Sequence, residues 1–274
     1  MPHSGFLQNA LLFQPACLNR DKLRRRIEGR TILVTGASSG IGEQLVRLLA
    51  DFDVHIVAVA RREERLQAIR EDVGAGPARV SVFPADLRDP DQLASLIGFL
   101  QGLPDGLDVF VSNAGHSIRR SIADSLDRFH DFSRTMGINY FAPVRLVLSL
   151  APALARRRGH IVSVSTVSAL LPPVPQWAAY LASKTAFDVW FRSAAPELNG
   201  MGISTSTVYL PLVRTPMIEP TTAYRHWPAL SPEYAARVIA RSLYAGKRAY
   251  KPWWLAFARP VAPLAARHAF SRHP

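Results

Sequence analysis

The stretch Thr31-Ile32-Leu33-Val34-Thr35-Gly36-Ala37-Ser38-Ser39-Gly40-Ile41-Gly42 decides the fold: an apolar, β-branched run breaks into a glycine-rich turn, and an amphipathic segment, Gly42–Asp51, follows at once. The run reads as a buried strand and the segment after the turn as a helix. Glycine allows a tight turn and a close approach of pyrophosphate, while free amides at the helix start face the negative charge. The spacing GxxxGxG differs from the commoner GxGxxG, so the phosphate-binding mechanism is shared rather than the letter of the motif. Taken alone, the same segment also reads as an ordinary strand-to-helix turn.

Working outward, the same alternation recurs along the chain. Strand candidates are Thr31–Thr35, Val54–Ala60, Arg79–Pro84, Leu107–Ser112, His160–Ser165 and Ile203–Leu210, with a last one near Arg248–Tyr250. Helices are expected near Gly42–Asp51, Glu63–Asp72, Asp91–Leu100, Asp131–Arg157, Trp177–Glu197 and Pro232–Tyr244. Such alternation predicts an α/β fold, a single doubly wound, Rossmann-like parallel sheet with helices on both faces and ligands at the carboxyl ends of its strands. Loops lengthen at those ends, at Leu171–Pro175 and Pro211–Pro228, as a substrate site on a rigid scaffold requires. The reading divides the chain into an N-terminal basic and apolar arm (1–29), one Rossmann-like domain (30–251) and an aromatic, basic tail (252–274).

Two features add chemistry. Tyr180 and Lys184 stand four residues apart with no proline between them, so a phenol and an ammonium share a helical face. The cation is expected to favour the phenolate and lower the tyrosine pKa, giving a proton-exchange group near neutral pH. Twenty residues beyond Gly42, where an acidic side chain would hold an NAD ribose, the chain reads Ala60-Arg61-Arg62. Arginines suit a 2′-phosphate, which favours NADP(H) over NAD(H). The competing reading makes both arginines solvated residues at a helix start.

Composition bounds the remaining possibilities. The 274 residues are 48% hydrophobic, enough for one large α/β domain. Cys17 is the single cysteine and stands apart from any Cys or His cluster, so neither a disulfide nor a structural zinc is expected. His55, His116 and His160 occur singly and read as ordinary histidines, with His116 bordering the pocket; no metal is expected. The longest apolar run, Val144–Ala155, is interrupted by Pro152 and falls short of a bilayer, and Phe6–Leu18 lacks the preceding basic residues of a secretory signal. A cytoplasmic location is the expectation, with peripheral membrane contact as an extension.

Charge is concentrated at the ends of the chain. Residues 1–30 carry six Lys/Arg against Asp21 and Glu28, a net +4, and residues 245–274 carry six Lys/Arg and no acid, a net +6, of a total +12. A basic end interleaved with Trp253, Trp254, Leu255 and Phe257 suits an anionic membrane surface, an acidic carrier protein or a polyphosphate-bearing substrate. The alternative is that the ends pack apolar residues on the domain and leave arginines in water. No helix-turn-helix, zinc-finger or RNP pattern accompanies the charge, so specific nucleic-acid binding is not expected.

The motifs together resemble those of the short-chain dehydrogenase/reductase family: a TGxxxGxG turn at Thr35–Gly42, an NAG motif at Asn113-Ala114-Gly115 and a YxxxK pair at Tyr180 and Lys184. The resemblance covers roughly Gly29 to Arg248. It implies that Gly36, Ser38, Ser39, Gly40, Ile41 and Gly42 bind the dinucleotide, that Asp86 and Leu87 meet adenine, and that Asn113, Ala114 and Gly115 wall the site. It further implies that Asn139 supports a water-linked proton path to Lys184 and that Lys184 also hydrogen-bonds the nicotinamide ribose, with Tyr180 exchanging the proton.

The chain departs from the family pattern at two places. Where a serine usually polarises the substrate oxygen, the stretch is Val164-Ser165-Thr166-Val167-Ser168. Counting from the strand selects Thr166 and counting back from Tyr180 selects Val167; Thr166 is the choice, with Ser165 and Ser168 as candidates. A threonine donates the same hydrogen bond with a stiffer rotamer. At Tyr209–Thr215 the usual glycine after proline is missing, yet Val213 and Thr215 still match the nicotinamide contacts.

Pro211–Ile218 and the aromatic, basic tail resemble a subgroup that includes bacterial fatty acyl-CoA reductases. This implies a lipophilic or long acyl-chain carbonyl substrate, acyl thioesters included, a place in lipid metabolism, and an apolar wall of Leu170, Leu171, Val174, Trp177, Met217 and Ile218. The resemblance also implies a homodimer or tetramer through the helices at Asp131–Arg157 and Trp177–Glu197. Two other classes fit the departures: a cofactor-binding sensor, or a membrane-surface interaction protein with a residual catalytic set.

Overall fold

The five residues of strand β1 (Thr31–Thr35) are all buried, because helices cover both faces of the sheet to which it is central. In the computed structural model, which describes residues 11–13 and 16–258, seven parallel strands lie in the order β3-β2-β1-β4-β5-β6-β7. The others are β2 (His55–Ala60), β3 (Arg79–Pro84), β4 (Val109–Ser112), β5 (His160–Thr166), β6 (Ser204–Leu210) and β7 (Ala249–Tyr250). This is the single doubly wound, Rossmann-like sheet that the alternation predicts, with the order reversing beside β1 so that a crevice opens between the carboxyl ends of β1 and β4.

Side-chain alternation divides the core between the faces. Ile32, Val34, Ile56 and Ala58 join one apolar cluster, and Leu33, Val57 and Val59 join the other. The first face is covered by α1 (Arg20–Ile27), α2 (Gly40–Leu49), α3 (Glu63–Val73) and α8 (Pro232–Ser242). The second is covered by α4 (Pro90–Gln101), α6 (Ala142–Arg156) and α7 (Ala178–Gly200). Short α5 (Phe129–Met136) leads into a π turn, Gly137–Phe141, that runs on into α6.

Helix α1 falls where the sequence reading leaves a basic arm. Asn19 caps it by accepting from the Lys22 amide at 2.8 Å, and Leu23 and Ile27 are fully buried. Each such burial contributes about 2 kcal/mol. Arg20, Arg24 and Arg25 stay exposed, with Arg20 paired to Asp51 at 2.9 Å, while half-buried Arg26 donates to the Leu243 carbonyl at 3.2 Å. Part of the basic end therefore packs on the domain, as the blander reading expects. Arg259, Arg267 and Arg272 lie outside the described residues, as do Phe6 to Ala10.

Pro152 lies inside α6 rather than ending the apolar run, and Phe129–Arg156 forms one helical stretch long and apolar enough to cross a membrane by length and composition. Half of that window is buried in the fold, and Leu146, Val147, Leu150 and Leu154 belong to the core under the sheet, which is how a central core helix of an α/β protein packs.

Candidate active site

The glycine-rich turn closes directly on the end of β4. Gly36 adopts φ +69°, and a Cβ there would stand 2.9 Å from the Ala114 Cα. At Gly42 a Cβ would lie 2.2 Å from the Gly36 carbonyl oxygen and 2.8 Å from Asn113 Nδ2, so no larger residue fits. The Thr35 hydroxyl accepts from the Asn113 and Ala114 amides, both at 3.1 Å, while Asn113 Nδ2 donates to the Thr35 carbonyl at 2.9 Å. Asn113 thus both ends its strand and holds the turn. Ala114 and Gly115 continue the wall; the space a Cβ on Gly115 would take lies 3.0 Å from Asn139 Oδ1 and 3.3 Å from Lys184 Nζ. Ile41 packs against the core beneath the turn.

After β2, Arg62 folds back over that turn, donating to Ser39 Oγ at 2.8 Å and Ser38 Oγ at 3.2 Å. Two hydroxyls and a guanidinium so grouped form a donor set for a phosphate. Arg61 is exposed and close enough to Asp86 to help hold its carboxylate below the usual range, although the hydrogen bond from Arg88 is the main cause. Asp86 accepts from Arg88 at 2.6 to 3.2 Å, so its carboxylate is already engaged by protein. The Leu87 side chain, expected beside adenine, is buried under α4, 6% exposed, and only its backbone remains for such a contact.

Tyr180 and Lys184 lie one turn apart on α7, as their spacing requires. Lys184 Nζ donates to the Val164 carbonyl at 3.3 Å, tying the helix to β5. Asn139 is carried in by the π turn, 2% exposed; its Oδ1 accepts from the His116 amide at 2.9 Å, and its Nδ2 donates to the His116 carbonyl and to Ser183 Oγ. Ser183 in turn donates to the Tyr180 carbonyl at 2.8 Å. A buried amide thus couples the loop after β4 to the turn that presents Tyr180, with all its side-chain groups satisfied.

The pKa expectation is corrected. Burial pushes the Tyr180 phenol up to about 12, a hydrogen bond with Thr166 works against the rise, and the neighbouring Tyr224 adds to it. Lys184 is not among the groups acting on the phenol, and its own ammonium is lowered by burial to about 8. Desolvation is the leading cause for both groups, raising the phenol and lowering the ammonium. The consequence is a tyrosine that holds its proton at neutral pH.

Of the two residues that the counts select, Thr166 is the one whose side chain meets Tyr180. Thr166 ends β5 with its side chain toward Tyr180 and its Oγ1 accepting from the Ser168 amide at 3.2 Å. Val167 is buried against Tyr209 and Leu255, away from the phenol, and Ser165 is buried one strand position off.

Beyond Tyr180 an aromatic wall runs outward. Trp177 meets Tyr180 edge-on at 5.9 Å, stacks on Tyr224 at 5.5 Å, and Tyr224 meets Trp227 at 5.6 Å. Arg214 holds this wall in place by donating to the carbonyls of Tyr224 at 3.0 Å and Trp227 at 2.9 Å. Tyr224, Trp227 and Arg214 are absent from the sequence-based set; the signal available was an aromatic run inside a proline-bounded loop. Of the six residues expected to wall the substrate, Trp177 stands against Tyr180, Leu170 and Leu171 pack on Val167 and Tyr209, Val174 and Met217 are exposed, and Ile218 is half-buried. Thr215 abuts Gly40, whereas the Val213 side chain is buried in the core, so only its backbone can face a nicotinamide.

A parallel sheet whose carboxyl edge carries a phosphate-binding turn, a helix-borne Tyr/Lys pair and a facing hydroxyl defines an oxidoreductase working with a bound dinucleotide. Residues 30–225 match the short chain dehydrogenase family, and the chain belongs to it. It is 41% identical over 221 residues to a fatty acyl-CoA reductase of Acinetobacter baylyi, covering 80% of this chain and 75% of that protein. A fatty acyl-CoA reductase of Mycobacterium tuberculosis is 40% identical over 211 residues, covering 77% and 72%. The fold is shared with a short-chain dehydrogenase from Sphingobium yanoikuyae solved in complex with NADPH, at TM-score 0.76 and 24% identity over 89% of this chain and 96% of that one. A metagenomic short-chain oxidoreductase in complex with NADP aligns at TM-score 0.70 and 26% identity, covering 82% and 97%.

Proposed function

We propose that this oxidoreductase uses NADP(H) in preference to NAD(H) to reduce the carbonyl of a lipophilic substrate, with long-chain acyl thioesters as the favoured class. The cofactor preference is carried by Arg62 on Ser38 and Ser39, which offers a 2′-phosphate a cation and two hydroxyls where NAD would need an acid. The close approach at Gly36 and Gly42 suits a pyrophosphate, and Gly40 with Thr215 borders the place for the nicotinamide. The dinucleotide, when bound, supplies the hydride.

The residues supply the rest. Thr166 donates a hydrogen bond to the substrate oxygen and Tyr180, protonated at neutral pH, gives it a proton, so this pair suits reduction. Hydride addition to a thioester then leaves a hemithioacetal, which releases the thiol as its hydroxyl proton passes to sulfur and the aldehyde forms. Lys184 contributes positive charge below about pH 8, and Asn139 holds the helix and loop that carry the others. The wall of Trp177, Tyr224 and Trp227 supports an acyl chain laid along it, and both named relatives act on acyl-CoA. Exposed Phe141 at the end of the π turn, Leu148 on α6 and Val189 on α7 support a subunit interface there, which sedimentation velocity would test against a Leu148→Glu variant.

The test is NADPH oxidation, with NADH in parallel, across ketones, aldehydes and acyl-CoA thioesters of rising chain length. Turnover that rises with chain length and prefers NADPH supports the reading. Preference for NADH, or equal rates on short and long chains, would remove the cofactor or the substrate half of it respectively.

A further inference from the structure

The two ends of the described chain meet on one surface. Trp253 Nε1 donates to the Leu11 carbonyl at 3.1 Å and Trp254 Nε1 donates to the Leu12 carbonyl at 2.8 Å. These bonds pin the segment before α1 to the segment after β7, and Phe13 beneath them is buried in the core. Outside them the surface is apolar: Leu11 is 67% exposed, Trp253 46% and Phe257 70%, with the two rings meeting edge-on at 6.4 Å. Both indole N–H groups are satisfied by backbone, so the rings can leave water without stranding a donor.

Among the described residues the charge around this patch has one sign: Lys247 and Lys251 are exposed and line one hollow with Trp253 that contains no Asp or Glu, and exposed Arg248 follows Lys247 in the chain. A solvated face would be expected to mix signs and to lack outward tryptophan and phenylalanine. Aromatic residues flanked by cations are instead the combination that holds a protein at the headgroup level of a negatively charged bilayer, where neither signal alone suffices.

We infer that the surface formed by Leu11, Trp253 and Phe257, flanked by Lys247, Arg248 and Lys251, docks the protein on an anionic lipid bilayer. The occupant is argued from charge complementarity. The patch also backs the active site: Trp254 and Leu255, next in the chain to Trp253, pack on Leu170, Leu171, Val167 and Tyr209, and Val167 follows Thr166 directly. Docking would therefore set the bilayer behind the end of β5 that carries the Thr166 hydroxyl. The inference stands apart from substrate identity, since vesicle binding is read without turnover.

The experiment is co-sedimentation of the full chain with phosphatidylcholine vesicles and with vesicles of equal parts phosphatidylcholine and phosphatidylglycerol. The expected result is binding to the anionic vesicles alone, weakening as salt rises. Lys247→Ala, which removes one cation, should weaken it about fivefold, and the double variant Trp253→Ser, Phe257→Ser should abolish it. NADPH binding by each variant verifies the fold, because these residues lie outside the cofactor crevice. No binding of the full chain, or equal binding by all variants, would overturn the inference. So would a double variant whose sedimentation velocity drops to a smaller species while vesicle binding is unchanged, since a second copy would then be what covers the patch.

Discussion

Replacing His160 by glutamine should make the protein markedly less sensitive to mild acid. His160 opens β5, 4% exposed; its Nε2 lies 3.0 Å from Ser206 Oγ and its Nδ1 meets no partner among the described residues. Burial, assisted by the charges of Arg26 and Arg30, lowers its pKa from 6.5 to about 4. Between those values the unfolded chain holds a proton that the folded one refuses, so stability falls as pH falls, by about 1.4 kcal/mol per unit. From pH 7 to pH 5 this one group removes about 2 kcal/mol, a sizeable part of a typical domain's 5–15. The His160→Gln variant keeps an amide for Ser206 and cannot charge. Urea midpoints and slopes at pH 7, 6 and 5 give the stability of each protein, and the wild type should lose about 2 kcal/mol more than the variant. Equal losses would refute the reasoning, whatever the variant's stability at pH 7, because the prediction concerns the slope. The same acid step should cost activity, since β5 runs from His160 to Thr166.

Four further outcomes are expected. Thr166→Val should lower kcat/KM by about 10²–10³-fold while Thr166→Ser stays within about tenfold of wild type, both read from steady-state NADPH oxidation. Tyr180→Phe should abolish turnover and leave NADPH binding intact by fluorescence titration; an unaffected rate would remove the proton-transfer role. Arg62→Gln should weaken NADPH by about 10–100-fold and leave the NADH KM unchanged. Gly42→Ala should lose dinucleotide binding and melt at a lower temperature, because its Cβ would sit 2.2 Å from the Gly36 carbonyl.

Which parts of this architecture can be read from sequence follows from where each signal is carried. Buried parallel strands are near-continuous apolar runs, so Thr31–Thr35 falls in the structure where the pattern puts it, while Arg79–Pro84, the edge strand with no residue buried, is marked instead by the apolar residues that alternate with Arg79 and Ser81. Helix α1 is hidden by composition: Leu23 and Ile27 supply its whole buried face, and the arginines between them read as a solvated arm. The π turn at Gly137–Phe141, which brings Asn139 inward, is a hydrogen-bond shift that residue periodicity does not encode.

The site shows the same division between local and long-range information. Tyr180 and Lys184 are legible because one helical turn fixes their relation, whatever surrounds them. Their pKa values are not, because burial is a property of the assembled fold: read as an isolated pair, the ammonium lowers the phenol, whereas inside the fold desolvation raises one group and lowers the other. Thr166 occupies the middle ground. Counting forward along the family pattern from the strand selects it and counting back from Tyr180 selects Val167; the structure sets the Thr166 side chain against Tyr180, and a proline-rich loop can absorb the residue by which the counts differ. Arg214 lies furthest from sequence reasoning. It acts on the backbone carbonyls of Tyr224 and Trp227, groups every residue possesses, so no pattern of side chains could have marked it, yet the aromatic wall beside Tyr180 depends on those bonds.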